Sequence, residues 1–129
     1  MSDGIRSHLQ GLLGEAKFIT FAATQGWHIF RGMDGHERYD YVVDTGTELL
    51  RVEVKSSWSV QASHRNFYYV SATKLNDVEY DYMFFATPDG NFWIPRAAVP
   101  SRTLSLKQVG GVYKRNITAP GKYEQYRVQ

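Results

Sequence analysis

The sequence predicts an α+β domain, with one long N-terminal helix laid against a mixed, mostly antiparallel sheet. Three observations predict it. Apolar residues recur at steps of three or four over residues 3–25, the period switches to two from Trp27 onward, and turn residues then punctuate the chain at strand-length intervals. The length agrees with a single domain spanning 1–129, its core over about residues 3–100 and a basic C-terminal segment over 101–129.

Each element has its own signature. Ile5, Leu9, Leu12, Ala16, Ile19 and Ala23 predict the buried stripe of the helix, with Ser2 or Asp3 capping its start and Gly26 at the C′ position. Glu15 falls on the flank of that stripe, placed neither plainly in the core nor plainly in solvent. Trp27 to Phe30 reads as a first strand and Arg31 to His36 as a loop. Arg38 to Asp44 reads as a second strand, with Tyr39, Tyr41 and Val43 on one face and Asp40, Val42 and Asp44 on the other. After a Thr45-Gly46-Thr47 turn, Leu50, Val52 and Val54 alternate with Arg51, Glu53 and Lys55, which predicts a strand with one apolar and one charged face. Phe67 to Ser71 is a fourth strand. Tyr82 to Ala86 and Phe92 to Ile94 flank Pro88-Asp89-Gly90-Asn91 and predict a hairpin. Ala97 to Val99 and the stretch from Ser101 onward are weakly patterned, and a short helix or an extra strand is expected there.

Composition excludes whole classes of chemistry. With no cysteine there is no disulfide framework, thiolate metal site or cysteine nucleophile, and a reducing, intracellular (cytoplasmic) setting is expected. No apolar run approaches the roughly 18 residues of a membrane span, and the first ten residues carry no signal-peptide core. There is no glycine-rich phosphate loop and no Gly-x-Ser-x-Gly elbow, so no organic cofactor is expected. His8, His28, His36 and His64 are too scattered for a zinc site. The formal charge of +2 divides unevenly, into −4 over residues 1–89 and +6 over 90–129. Such a split suits a carboxylate centre joined to a phosphate-facing segment.

The charged face of the third strand supplies the candidate site. Glu53 and Lys55 project from one side, roughly 7 Å apart along the strand. A short hairpin brings Asp40 beside Glu53, and the helix supplies Glu15. Two carboxylates and a backbone carbonyl, here that of Val54, suit a hard cation such as Mg2+, with Mn2+ able to substitute. The expected spacing of the Asp40 and Glu53 carboxyls is about 4–6 Å. A neighbouring lysine offsets carboxylate repulsion and can orient an attacking water. Asp44 shares a strand face with Asp40, but its place beside a Thr-Gly turn is explained at least as well by turn capping.

Asp40 followed by Glu53-Val54-Lys55, with Glu15 in the preceding helix, resembles the PD-(D/E)xK nuclease superfamily. Gly14-Glu15, Gly26-Trp27, Arg38 to Asp44, Leu50 to Ser57, Tyr80 to Ala86 and Phe92 to Pro95 resemble its small homing endonucleases encoded in group I introns. The resemblance covers about residues 10–100. It implies an α/β/α restriction-endonuclease-like core with flanking helices and magnesium-dependent cleavage of DNA. Asp40 and Glu53 would then be metal ligands, Glu15 would support the metal or its water, and Lys55 would be the catalytic lysine. Tyr39 stands where the motif's proline would be, and Glu53 fits the superfamily at large better than a group I branch that also uses glutamine.

The expected function is therefore a magnesium-dependent DNA endonuclease, homing or mobile-element-associated, working as a homodimer or higher homo-oligomer. Rival readings are a Holliday-junction resolvase, another structure-specific, restriction or repair nuclease, and a catalytically silent DNA-binding domain on the same scaffold. Candidate DNA contacts are Ser56, Ser57 and Trp58 after the lysine, for which loop packing is an equal reading, and Arg96, Arg102, Lys114 and Arg115 in the basic segment. His36 and Arg38 lie beside the proposed centre; surface or core packing is the favoured reading for the histidine and a phosphate contact the alternative.

Overall fold

The structure, a computed structural model, describes residues 3–31, 39–58, 67–71, 78–107 and 123–128. Helix α1 (Asp3–Thr24) is followed by strands β1 (His28–Arg31), β2 (Tyr41–Asp44), β3 (Leu49–Ser56), β4 (Phe67–Ser71), β5 (Tyr82–Thr87), β6 (Gly90–Pro95), β7 (Thr103–Lys107) and β8 (Arg127–Val128). Six strands form one sheet in the order β1-β2-β3-β5-β6-β8, and β4 pairs with β7 in a second, two-stranded sheet. Only the β3–β5 pairing in the large sheet is parallel. Among the described residues α1 is the sole α-helix, and no helix is long and apolar enough to cross a membrane.

The large sheet buries both of its faces. On one, α1 packs Phe18, Phe21 and Ala22 over Tyr41, Val43, Leu50, Val52 and Phe84. On the other, Met83, Phe85, Phe92 and Ile94 join Tyr80, Leu104 and Tyr123. Leu104 and Tyr123 belong to the segment the sequence sets apart as a basic tail, so part of that tail completes the core. The weakly patterned stretch holds both elements expected of it, a strand at β7 and 3₁₀ turns at Arg96–Ala98 and Glu124–Tyr126.

The helix stripe is corrected. Leu9, Leu12, Ala16, Ile19 and Ala23 face outward, as does Leu13, and Ile5's side chain lies outside the described residues. The buried face is instead Gly14, Phe18, Phe21 and Ala22. Apolar residues surround this helix, so its periodicity supports two stripes, and the aromatic one wins because two phenyl rings bury more area than aliphatic side chains. Phe18 meets Tyr41 and Phe84 at centroid distances of 5.2 and 5.4 Å.

The end of α1 follows the sequence reading. Gly26 takes φ +80°, and the Gly26 and Trp27 amides donate to the carbonyls of Ala23 and Ala22. The second strand is shorter than predicted. Tyr39 and Asp40 form a bend, and pairing begins at Tyr41 opposite Val52. The first strand is shifted by one residue, so Arg31 belongs to β1 and pairs with Tyr41.

Candidate active site

The site begins where β2 stops and β3 continues. Asp40 still donates its amide to the Val52 carbonyl at 3.0 Å, the last backbone bond between these strands. One step further along β3, the Val54 amide donates not to backbone but to the Asp40 carboxylate, at 2.8 Å. The side chain thus takes over the ladder position that the departing backbone leaves. Alternation along β3 turns the Val54 carbonyl to the same side as its amide, into the notch beside Asp40.

Glu53 stands directly across from Asp40. Its side chain lies on the sheet face opposite α1, over the Met83 cluster, and the residue is only 6% exposed. Burial, with the Asp40 charge beside it, pushes the Glu53 carboxyl up to about 7. Burial likewise raises Asp40, against the Val54 hydrogen bond and the Lys55 charge that favour its ionised form. Lys55, on the same face of β3, is the positive charge that acts on both carboxyls. Asp40, Glu53, Val54 and Lys55 are therefore brought together as the sequence predicts.

Glu15 approaches from α1. The helix lies close to β3 because residue 14 is glycine, since a Cβ there would fall 2.9 Å from the Ser56 Cβ. That close approach carries Glu15 down to Tyr41, whose phenol donates to Glu15 Oε1 at 2.8 Å. Burial and this hydrogen bond push the Tyr41 hydroxyl up to about 12. Arg31 of β1 sits 3.8 Å from the same oxygen, with its guanidinium 5.8 Å from the Tyr41 ring centre. Glu15's charge also acts on Asp40, which places the three carboxylates in one electrostatic neighbourhood. Sequence reasoning missed Gly14, Tyr41 and Arg31. The signal that could have found Tyr41 and Arg31 is their shared register across β1 and β2, on the face that α1 covers.

Several other predicted residues make contacts within the fold. Trp58 Nε1 donates to the Gln10 carbonyl at 3.0 Å, the Ser56 hydroxyl reaches the same carbonyl at 3.4 Å, and Lys17 sits over the Trp58 ring. Ser56 and Trp58 thus dock α1 onto β3, where the sequence reading weighs DNA contact against loop packing. The Ser57 amide donates to the Ala86 carbonyl. Arg96 donates to the Val78 carbonyl and lies over the Tyr80 ring, so its guanidinium closes the core edge. Arg102 is exposed, while Lys114, Arg115, His36, Arg38 and His64 lie outside the described residues. Asp44 caps its turn, accepting the Gly46 amide at 2.8 Å. Arg51 leaves the charged row of β3 for Asp81, whose carboxylate receives its amide and guanidinium.

Asp40 and Glu53 are a pair rather than a cage, and among the described residues no three acidic or histidine side chains form a ready-made cation site. A hard cation needs only one or two carboxylates with further oxygen ligands and water. A buried Glu53 carboxyl beside Asp40, with the Val54 carbonyl in the same notch, fits that requirement: a cation there would offset the charge that burial and crowding disfavour.

This arrangement of helix, strand-end aspartate and Glu-x-Lys strand can be set against known proteins. A family model described as PD-(D/E)XK endonuclease matches residues 5–108. The chain belongs to the PD-(D/E)XK endonuclease family. Among solved structures similar to this family member is a bacterial homing endonuclease, I-Ssp6803I, with a TM-score of 0.71 and 17% identity over 93% of this chain and 85% of that one. Another is Hjc, a Holliday junction resolvase from the archaeal hyperthermophile Archaeoglobus fulgidus, with a TM-score of 0.50 and 17% identity over 76% of this chain and 84% of that one. Both likenesses show the restriction-endonuclease-like fold. No curated protein sequence matches the chain.

Proposed function

We propose that this PD-(D/E)XK protein is a magnesium-dependent DNA endonuclease, with Mn2+ able to replace Mg2+. The observation that carries the reading is the buried Glu53 carboxyl beside the strand-end Asp40, which the Val54 amide holds in the notch where β2 leaves β3. Asp40, Glu53 and the Val54 carbonyl would hold the cation, with Glu15 supporting it or its water. The cation would supply Lewis-acid charge at the scissile phosphate and lower the pKa of an attacking water. Lys55 orients that water and places positive charge beside the phosphate. Asp40 is fixed by the Val54 amide, so its carboxylate is held in place before substrate arrives.

Phosphate contacts outside the notch are assigned to Arg102, with Lys114 and Arg115 from the basic segment. One core of this kind cuts one strand, so double-strand cleavage calls for a homodimer or higher homo-oligomer, two-fold symmetric like duplex sites. The similarity to a homing endonuclease supports the duplex-cutting reading.

The test is incubation of the protein with Mg2+ and labelled duplex, four-way-junction and flap DNAs. Cleavage of duplex, lost with EDTA and in Lys55→Ala, is the expected result. Cleavage of junctions alone selects the resolvase reading. Binding without cleavage of any substrate selects the silent DNA-binding domain.

A further inference from the structure

Glu15 makes its two protein contacts through one oxygen. The Tyr41 phenol donates to Oε1 at 2.8 Å, and the Arg31 guanidinium sits 3.8 Å from that same atom. Among the described residues Oε2 accepts no hydrogen bond, although the Glu15 side chain is only 28% exposed. A carboxylate held this way cannot rotate without breaking a charge-assisted hydrogen bond, and it presents its second oxygen unspent.

We propose that Tyr41 is a positioning residue for Glu15, fixing the carboxylate so that Oε2 serves the Asp40–Glu53 notch. The inference rests on the nuclease reading above. Its grounds lie in how Tyr41 is itself held. The residue is 3% exposed, and its ring packs against Phe18 at 5.2 Å, so the phenol has no room to swing. Its backbone follows Asp40 directly and pairs with Val52 on β3 and Arg31 on β1. One residue therefore connects the strand-end aspartate through the main chain to the helix glutamate through the side chain. A buried phenol needs a partner, but a backbone carbonyl or a water would serve. A carboxylate reached from α1, 26 positions earlier in the chain, ties Glu15 to the strand that carries Asp40. Arg31, 68% exposed at the sheet edge, adds a positive charge 3.8 Å from the oxygen that the phenol holds.

The experiment compares Tyr41→Phe, Glu15→Gln and the double variant with wild type. Phenylalanine keeps the ring packing and removes only the donor. The expected result is a kcat roughly 10–100-fold lower in Tyr41→Phe, the range found when a partner that orients a metal ligand is removed. The cation concentration for half-maximal rate rises, while KM for DNA and the thermal midpoint stay close to wild type. The double variant is no worse than Glu15→Gln, because the phenol acts only through that carboxylate. Mn2+ binding by calorimetry without DNA weakens in Tyr41→Phe. A Tyr41→Phe protein with wild-type rate and Mn2+ affinity overturns the proposal, as does a Tyr41→Phe loss that adds in full to that of Glu15→Gln. Wild-type protein that cuts no DNA overturns the nuclease reading instead. In that case calorimetry still decides the Tyr41–Glu15 link, and unchanged Mn2+ affinity in Tyr41→Phe overturns it.

Discussion

Arg51 and Glu53 stand two residues apart on one face of β3, and each meets an aspartate from elsewhere in the chain. The Arg51 contact is complete. Opposite charges meet at 3.1 Å, the Asp81 carboxylate also receives the Arg51 amide, and the Arg51 guanidinium holds Asp81 below the usual carboxylate range. The Glu53 contact is incomplete. Two like groups meet, one is almost wholly buried, and burial with the neighbouring charge raises its carboxyl to about 7. A row of charge on a strand is thus two different objects. Where opposite partners satisfy it, it joins β3 to the start of β5. Where like charges crowd it, it is the end at which the proposed function places a cation.

That contrast is broken most sharply at the Glu53 end. Asp40→Asn or Lys55→Ala should lower cleavage by roughly 10²–10³-fold or more, with duplex binding in Ca2+ retained in a gel-shift assay. Asp81→Asn should leave cleavage nearly intact. Full activity in Lys55→Ala would remove that residue from the chemistry.

The second test is pH. Glu53's folded value, about 7, lies above its ordinary 4.5, so the folded protein holds this proton more tightly than the unfolded chain. Its contribution to stability is full below pH 4.5 and is lost as pH rises through about 7. Asp81 has the opposite sign, contributing above its ordinary 3.8 and losing that contribution as pH falls through its lowered value. In EDTA the thermal midpoint should therefore fall between about pH 4.5 and 7 through Glu53. Glu53→Gln should flatten that fall, Asp81→Asn should not, and Mn2+ should restore the midpoint near pH 8.

A smaller effect is expected at the complete pair. Asp81→Ala should lower the midpoint by about 4 °C, the scale of one lost backbone hydrogen-bond partner in a domain of this size. The smallest change in stability should come at Gly14. Alanine gains about 1 kcal/mol of helix propensity there but meets Ser56, so the melting temperature moves little. Cleavage should still fall several-fold, because α1 shifts and Glu15 with it. Ser56→Gly in the same chain should restore the rate, and failure to restore it would argue against helix displacement.

Much of this was legible in the sequence. The β3 alternation located Glu53 and Lys55 because a strand's period of two leaves one reading of its faces. The Pro88-Asp89-Gly90 turn fixed the hairpin in the same local way. The buried face of α1 was not legible, because Leu9, Leu12 and Ile19 offer as good a period as Phe18 and Phe21. Choosing between them requires knowing what lies beneath, and only Gly14 hints at the close approach. The partners of Ser56 and Trp58 were open for a related reason: sequence shows that a polar atom exists, not that the Gln10 carbonyl receives it. Tyr41 was placed on the correct strand face, but its partner lies on another element.

The tryptophans give the molecule a built-in gauge. Trp27 packs against Phe21 at 5.5 Å, Trp93 lies 5.5 Å from the same ring, and Trp58 bonds to Gln10 beneath the Lys17 ammonium. All three indoles in the chain thus touch α1, the helix that delivers Glu15. Intrinsic fluorescence therefore reports how that helix is seated, and a ligand that shifts α1 registers as a change in emission without a label or a substrate.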